Sequence, residues 1–406
     1  MSPRPVTIFL SAAEASGDEH AANLMRAIRA VLPEARFVGV AGERMAAEGC
    51  EVLADLTKKA AMLGGPLLSL GYYFRAVRRL QKAIRSIRPD LHIPVDSPAL
   101  NWHLAAAARK AGTPVLYYIA PQVWAWGPWR VKKLARLTDR VACILPFEED
   151  YLRRRGVHAT FVGHPIFDGH PQRPPAPPDL ADAWFSGAWQ VALLPGSRPG
   201  ELASHTAPLL EVADAIVRRW PKARCVFATL EQAGARRVQD ACRSPRRLAD
   251  GGRSPRGAPG PCRPVDVVVG QTAALEVLSR SHFAVAASGT VTLQAAYYGV
   301  PMVIFYKASP FIRALFHTVG RSRGVVGTPH LALVNILAGR RVVPELMPWR
   351  GNRPPLIRMT LDVMSDLGHL TEMRQNVLRL VEPLHVPPPG TAAANAAAIA
   401  LELLRR

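Results

Sequence analysis

The sequence predicts an α/β protein of two doubly wound domains, each a parallel sheet covered by helices on both faces. Three observations carry this. Short apolar, β-branched runs alternate with helical patterns along most of the chain. A proline-rich stretch interrupts that alternation near the middle. The length of 406 residues suits two domains of roughly 100 to 200 residues each.

The elements follow in order. Residues 6–12 are a short apolar run, followed by the turn-forming Ala15-Ser16-Gly17-Asp18 and a helical pattern through Ala21, Leu24, Ile28 and Leu32. That is a strand–loop–helix opening. The strand signal recurs at 36–40, ahead of Ala41-Gly42, and at 91–95, 115–119, 141–145 and 160–162. His170-Pro171-Gln172-Arg173-Pro174-Pro175-Ala176-Pro177-Pro178 continues neither a helix nor a central strand and reads as a linker. Alternation resumes with strands at 190–194, 223–228, 265–269, 283–287 and 302–306 and a helix over 209–219. Sites in such sheets lie at the carboxyl ends of the strands.

Composition narrows the function class. Apolar residues make up 49% and charged residues 20%, ordinary globular usage that excludes a disordered or fibrous chain. Lys plus Arg is 51 against 31 Asp plus Glu, a net charge of +20, which attracts a polyanion: nucleic acid, an anionic membrane face or phosphorylated small molecules. No nucleic-acid recognition motif accompanies the charge. The five cysteines, Cys50, Cys143, Cys225, Cys242 and Cys262, are scattered without ligand spacing, which fits a reducing compartment and no zinc site. The apolar stretch 6–13 ends at Glu14 and reads as a first strand rather than a signal core. No run of 18 apolar residues spans a bilayer, so a cytoplasmic location is expected, with surface membrane contact open.

Two segments break the regular pattern. Residues 242–263 carry six arginines among Gly, Pro and Ser and read as a solvated insertion, either an idle surface loop or a polyanion-binding arm. Residues 62–88 run from Leu67, Leu68, Leu70, Tyr72, Tyr73 and Phe74 into Arg75, Arg78, Arg79, Lys82, Arg85 and Arg88. This is the composition of a helix lying on an anionic bilayer, and equally of an amphipathic core helix with a wet basic face.

Several residues are placed to do chemistry. Leu193-Leu194-Pro195-Gly196-Ser197-Arg198 ends a strand with small residues whose amides can approach an anion and a guanidinium that forks onto phosphate. Glu201 either orients Arg198 or sits in the first helical turn, where the dipole favours a carboxylate. Ala287-Ser288-Gly289-Thr290 repeats the strand–turn–helix form and serves as a diphosphate seat or as plain N-capping. Two such turns in one half favour a phosphorylated ligand. In the first half, Asp96 follows strand 91–95, where partial burial equips a general base. Glu14 and Asp18 share that edge, and a helix cap explains Asp18 equally. Trp124, Trp126 and Trp129 either pack a core or line an acyl or sugar site. His164, at a strand end, is a structural hydrogen-bond donor or a contact to donor phosphates.

Taken together, Ala13-Glu14-Ala15-Ser16-Gly17-Asp18, Val95-Asp96-Ser97-Pro98, Pro121-Gln122-Val123-Trp124-Ala125-Trp126, Leu145-Pro146-Phe147-Glu148, Phe161-Val162-Gly163-His164, residues 193–198, Ala287-Ser288-Gly289-Thr290 and Asn335-Ile336-Leu337-Ala338-Gly339-Arg340 stand in the order seen in lipid-A-disaccharide synthases. The resemblance covers roughly residues 5–405. It implies a GT-B glycosyltransferase: two Rossmann-like domains with a cleft between them, no metal or other cofactor, and a C-terminal helix that returns to the first domain. The expected division is an acceptor domain over 1–168, a linker over 169–184, a UDP-sugar donor domain over 185–384 and the returning helix within 385–406.

The implied reaction transfers diacylglucosamine from its UDP derivative to the 6-hydroxyl of 2,3-diacylglucosamine 1-phosphate with inversion, giving lipid A disaccharide 1-phosphate and UDP. It places the protein on the inner face of the inner membrane, peripheral to an anionic surface, with a homodimer and no nucleic-acid partner. By the same resemblance Asp96 is the base, Glu14 an important acid beside it, Arg198 and Asn335 hold the diphosphate or its developing charge, and Ser288, Gly289 and Thr290 form the donor phosphate loop. Ser197, Glu201 and His164 complete the expected substrate-binding set. The chain departs from the family pattern at Ala99, Ala120, Gln122, Gly127 and Gln294. Gln294 replaces a ribose-gripping glutamate, and a neutral amide still hydrogen-bonds a diol. The readings that compete are a paralogue using another UDP-sugar or acceptor, and a protein that holds UDP or acylated sugars without turnover.

Overall fold

A computed structural model describes residues 5–56, 66–125, 127–168, 176–243, 265–307, 329–386 and 390–405. The described residues divide into two compact units, one holding those up to 168 and from 383 onward, the other those from 176 to 382.

The first unit runs β1 (Thr7–Ser11), α1 (Ala15–Arg29), β2 (Arg36–Val40), α2 (Glu43–Ala47), β3 (Glu51–Ala54), α3 (Pro66–Ile87), β4 (Leu91–Pro94), α4 (Pro98–Lys110), β5 (Leu116–Tyr118), α5 (Val131–Leu137), β6 (Arg140–Cys143), α6 (Pro146–Arg153) and β7 (Ala159–Phe161). Every strand pairs in parallel, in the orders β3-β2-β1-β4 and β5-β6-β7. Parallel bridges His92 to Val115 and Val95 to Tyr118 join the two sheets. Strands buried on both faces explain the continuous apolar runs at 7–11 and 91–94. One face packs Ile8, Leu10 and Ile93 against Leu24 and Ile28 of α1 and against the last helix of the chain (Ala392–Leu404). The other packs Phe9, Val38 and Tyr117 against Val77 and Leu80 of α3, Trp102 of α4 and Leu134 of α5.

That last helix, Ala392–Leu404, begins where the Asp168 carboxylate accepts from the Ala392 and Ala393 amides at 2.8 and 3.1 Å. Asn395 adds a bond to the Val162 carbonyl. The helix is held at its N-terminus twice, by Asp168 from the segment that closes the Rossmann-like unit and by its own flank, where the Thr391 hydroxyl accepts the Ala394 amide at 3.0 Å.

The second unit is one six-stranded parallel sheet in the order β10-β9-β8-β11-β12-β13. Its strands are β8 (Gln190–Leu194), β9 (Arg224–Thr229), β10 (Asp266–Val269), β11 (Phe283–Ala287), β12 (Met302–Lys307) and β13 (Glu345–Trp349). The described helices between and around them are α7 (Leu180–Ser186), α8 (Pro199–Arg219), α9 (Gln232–Arg243), α10 (Ala273–Leu278), α11 (Val291–Tyr297), α12 (Leu333–Ala338), α13 (Arg353–Met364) and α14 (Leu367–Val381). The switch in strand order falls between β8 and β11, so the loops after those two strands flank the point where ligands bind in open sheets.

The strand positions agree with the sequence pattern to within one or two residues, apart from β3 and β13, which it did not give. The helix expected over 209–219 instead begins at Pro199 and carries Pro208 inside it. A proline ends a helix only by removing one N–H and crowding the carbonyl four residues before it. Here the turn is braced by Ser204 and Thr206 hydroxyls donating to the Gly200 and Leu202 carbonyls. The arginine-rich stretch lies outside the described residues beyond Arg243, as do the linker prolines up to Pro175 and Trp126.

Candidate active site

In the first unit the site forms at the carboxyl end of β4. Asp96 and Ser97 both adopt the left-handed region, with φ of 48° and 45°, a conformation that costs a non-glycine residue roughly 1–2 kcal/mol. Three neighbours hold the turn. The Asp96 N–H donates to the Tyr118 carbonyl at 3.1 Å, and the Asp96 carbonyl accepts from the Tyr117 hydroxyl at 2.8 Å and from Asn101 Nδ2 at 2.7 Å. Asn101, wholly buried, also reaches the Ser11 and Val95 carbonyls at 3.2 Å. The turn thereby presents a half-buried Asp96 carboxyl at the strand end.

Behind it lies a buried polar chain. The Ser11 hydroxyl donates to Asn101 Oδ1 at 2.7 Å and lies 3.0 Å from His92 Nε2. Its one proton goes to Asn101, so His92 Nε2–H is the donor to Ser11. Burial drives the His92 pKa down to about 3, keeping this ring neutral.

The other expected residues of this unit divide. Glu14 is exposed at the start of α1 and makes no side-chain cap to it. Asp18 is a cap, though of the next helix: its carboxylate accepts from the Gly42, Arg44 and Met45 amides at the start of α2. His164 is 4% exposed, and its Nδ1 accepts the Ile166 amide at 3.2 Å. Its Nδ1 therefore acts as an acceptor in a helical turn, which leaves the proton of the neutral ring on Nε2. Burial, and His20 beside it, hold its pKa down to about 3. Trp124 is buried with Phe147 against its ring, whereas Trp129 is 56% exposed, so these tryptophans do not form one core cluster.

In the second unit the turn after β8 has a different occupant from the one expected. Glu201 Oε2 accepts from the Ser197 and Arg198 amides at 3.1 and 3.2 Å. These amides, read from sequence as approaching a ligand anion, close on the chain's own carboxylate, a capping box on α8. Gly196, with φ of 99°, is needed here, because a Cβ would meet Glu201 Oε2 at 2.4 Å. The exposed Arg198 guanidinium lies 3.5 Å from Glu201 Oε1 and is the group of this loop that projects to solvent.

The turn after β11 is open. Gly289 and Thr290 are exposed, Ser288 is partly so, and Thr290 makes no side-chain cap to α11. Its backbone is fixed by the Ser288 amide donating to the Phe305 carbonyl at 3.0 Å. Gln294 lies half-buried one turn further along α11.

Asn335 is wholly buried and committed to its surroundings. Its Oδ1 accepts the Val342 and Val343 amides, and its Nδ2 donates to the Val343 carbonyl and Glu345 Oε2. That fills an amide's bonding capacity, so Asn335 orders the 342–345 segment and does not face a ligand directly.

His205 escaped the sequence reading. Its Nε2 accepts the Lys307 amide at 3.3 Å, so its Nδ1–H donates to the Pro195 carbonyl at 2.8 Å. This ties the end of β8 to the end of β12. A histidine inside a helical pattern gives no such signal in sequence.

The family model described as lipid-A-disaccharide synthetase matches residues 8–244 and 261–375. The lipid-A-disaccharide synthase of Geobacter sulfurreducens is 36% identical over 401 residues, covering 98% of this chain and 97% of that protein. Among solved structures, the UDP-GlcNAc 2-epimerase of Neisseria meningitidis bound to UDP-GlcNAc aligns with a TM-score of 0.56 at 12% identity over 99% of each chain. MurG of Acinetobacter baumannii aligns with a TM-score of 0.51 at 13% identity, again over 99% of each. These likenesses give the GT-B fold. With the ordered motifs and a family match across most of its length, the chain belongs to the lipid-A-disaccharide synthase family and is a UDP-sugar glycosyltransferase of lipid A biosynthesis.

Proposed function

We propose that the protein condenses UDP-2,3-diacylglucosamine with 2,3-diacylglucosamine 1-phosphate by a single inverting displacement, releasing UDP and lipid A disaccharide 1-phosphate. The observation that carries this is the Asp96 turn: a half-buried carboxyl, held in a strained conformation by Tyr117 and Asn101, at the carboxyl end of β4. Asp96 takes the proton of the acceptor 6-hydroxyl as its oxygen attacks the anomeric carbon. The carbon–oxygen bond to the diphosphate breaks on the opposite face, and UDP leaves with the electron pair. Arg198 and the Ser288–Thr290 turn stabilise the charge that develops on the leaving diphosphate. Gln294 hydrogen-bonds the ribose, Asn335 keeps the 342–345 segment in place, and Glu14 lies in the acceptor loop. Ser197 and Glu201 serve by shaping the Arg198 loop, and His164 by shaping the turn after β7.

Replacing Asp96 by Ala separates enzyme from binder. The variant is expected to bind UDP with unchanged affinity while disaccharide formation falls at least 100-fold. Turnover equal to the unaltered protein removes Asp96 as the base.

Charge placement supports the proposed membrane attachment. Helices α3, α4, α5 and α6 of one face, with the turn Pro128–Arg130, carry twelve Lys and Arg against three acids, Glu148, Glu149 and Asp150 of α6, whereas α1, α2 and Ala392–Leu404 on the other face carry three basic and four acidic residues. Phe74 and Trp129 are 51% and 56% exposed among those basic residues. Each basic group near an anionic bilayer contributes about 1 kcal/mol, and exposed aromatics anchor in the interface. No helix among the described residues is long and apolar enough to cross a membrane. Co-sedimentation with phosphatidylglycerol vesicles that weakens steeply with salt supports peripheral binding at the cytoplasmic face, where both substrates are expected. Binding equal to that with neutral vesicles contradicts it.

A further inference from the structure

Glu148 has no part in the transfer chemistry above, yet its side chain is 3% exposed. Its Oε1 accepts from the Trp124 indole N–H at 2.8 Å, and its Oε2 accepts from the Ile144 and Leu145 amides at 3.2 and 3.0 Å. These donors come from two adjacent loops at the carboxyl edge of one sheet: residues 144–145 follow β6, and Trp124 lies in the loop that leaves β5. The β5 loop starts at Ile119, whose φ is 57°. It adjoins the Asp96 turn, because the Tyr118 carbonyl accepts the Asp96 N–H.

No cation among the described residues offsets the Glu148 charge. Around it stand the Trp124 indole, with Phe147 edge-on to that ring at 4.9 Å, and the Cys143 thiol of β6. The neighbouring Glu149 is engaged by the Phe161 amide and Arg153. Burial without a counter-charge raises the Glu148 pKa to about 7, opposed only by its three hydrogen bonds. An ionised carboxylate here costs stability that a well-packed apolar side chain does not, and what the carboxylate provides in return is a grip on the loop beside the base.

We infer that Glu148 is a positioning residue for glycosyl transfer, latching the 119–125 loop against the Asp96 turn through the Trp124 indole. The inference rests on Asp96 being the base. Above neutral pH the ionised carboxylate serves all three donors. As pH falls through the raised pKa, a proton takes up one of its acceptor sites and the latch loosens.

The test compares the full-length protein with Glu148→Gln, Trp124→Phe, the double variant and Asp96→Ala, each in detergent with UDP-2,3-diacylglucosamine and the lipid acceptor between pH 6 and 9. Glutamine sets an NH₂ against the indole N–H, and phenylalanine keeps a ring while removing that N–H. Each single variant is expected to lower kcat about 10- to 100-fold, the scale of a small misplacement of a catalytic group, with KM within threefold. The double variant is expected to be no worse than the singles, since one bond is removed in both. The acid limb of kcat near pH 7 is expected to vanish in Glu148→Gln. Folded single variants with unaltered kcat and pH profile overturn the latch, as do additive losses in the double variant. If Glu148→Gln fails to fold cooperatively, Trp124→Phe decides alone. Asp96→Ala that retains turnover overturns the base assignment instead, and Asp96→Ala that loses it beside two silent latch variants overturns the latch only.

Discussion

Asn101→Ala probes the strained turn most deeply. Asn101 closes four hydrogen bonds: it accepts from the Ser11 hydroxyl and donates to the Ser11, Val95 and Asp96 carbonyls. Two of those carbonyls keep a second partner, Tyr117 on Asp96 and the Val95 amide on Ser11. The substitution therefore strands the Val95 carbonyl and leaves the Ser11 hydroxyl with His92 as its one side-chain partner, at ~1–3 kcal/mol each, and leaves a small cavity. The expected loss is about 3–5 kcal/mol, a large part of the ~5–15 kcal/mol typical of a domain. Asp96 and Ser97 together store ~2–4 kcal/mol of left-handed strain, so a turn deprived of Asn101 relaxes and swings the carboxyl away. Urea unfolding followed by circular dichroism measures the first effect, and steady-state kinetics the second. kcat is expected to fall at least tenfold, with the donor KM unchanged, because the groups proposed to bind the donor sit in the other unit. Tyr117→Phe, which removes one bond to the same carbonyl, is expected to cost only about 1 kcal/mol. A loss below 1 kcal/mol in Asn101→Ala, with full turnover, refutes the idea that this side chain holds the turn.

Three further outcomes are expected. Asn335→Asp sets a carboxylate against Glu345 and the Val343 carbonyl, which raises its pKa. The folded state then binds the extra proton more readily than the unfolded chain, so the variant is expected to recover stability on acidification and lose it as pH rises, a trend visible in melts between pH 4 and 8. Glu201→Ala removes the carboxylate that closes the Ser197 and Arg198 amides and is expected to cost about 1 kcal/mol and raise the donor KM more than the acceptor KM. The depressed pKa values of His92 and His164 mean that the unfolded chain binds protons there first. Stability is fully present above the unfolded value near 6.5 and falls by about 1.4 kcal/mol per pH unit per histidine as pH drops toward 3. A flat stability profile between pH 6.5 and 4.5 contradicts this.

The parallel sheets were legible because strands buried on both faces need continuous apolar runs, and 190–194 and 283–287 have no other reading. β3 was missed because its apolar run, Val52 to Ala54, is only three residues long, too short to tell an edge strand from a turn. Pro208 hid the first half of α8, since the hydroxyls that brace it lie in ordinary-looking positions. At the site, position along the chain placed Asp96 and the Ser288 turn at strand ends, but bonding partners distant in sequence decided what each group does. Tyr117 and Asn101 make the Asp96 turn left-handed. Glu201 takes the amides that a Gly-Ser turn advertises for a ligand. Asn335 looks like a polar site residue and is spent on Val342, Val343 and Glu345. Glu148 looks like a first-turn helix acid and proves to be a buried acceptor for an indole 24 residues away.

The central claim is an inverting transfer that uses Asp96 as its base. It is tested most directly by incubating the purified protein with UDP-2,3-diacylglucosamine and 2,3-diacylglucosamine 1-phosphate, and following UDP release together with the anomeric configuration of the product by NMR. The expected result is one UDP per β-1,6-linked disaccharide, with Asp96→Ala folded and at least 100-fold slower. An α-linked product, UDP release without disaccharide, or an Asp96→Ala rate equal to that of the unaltered protein contradicts it.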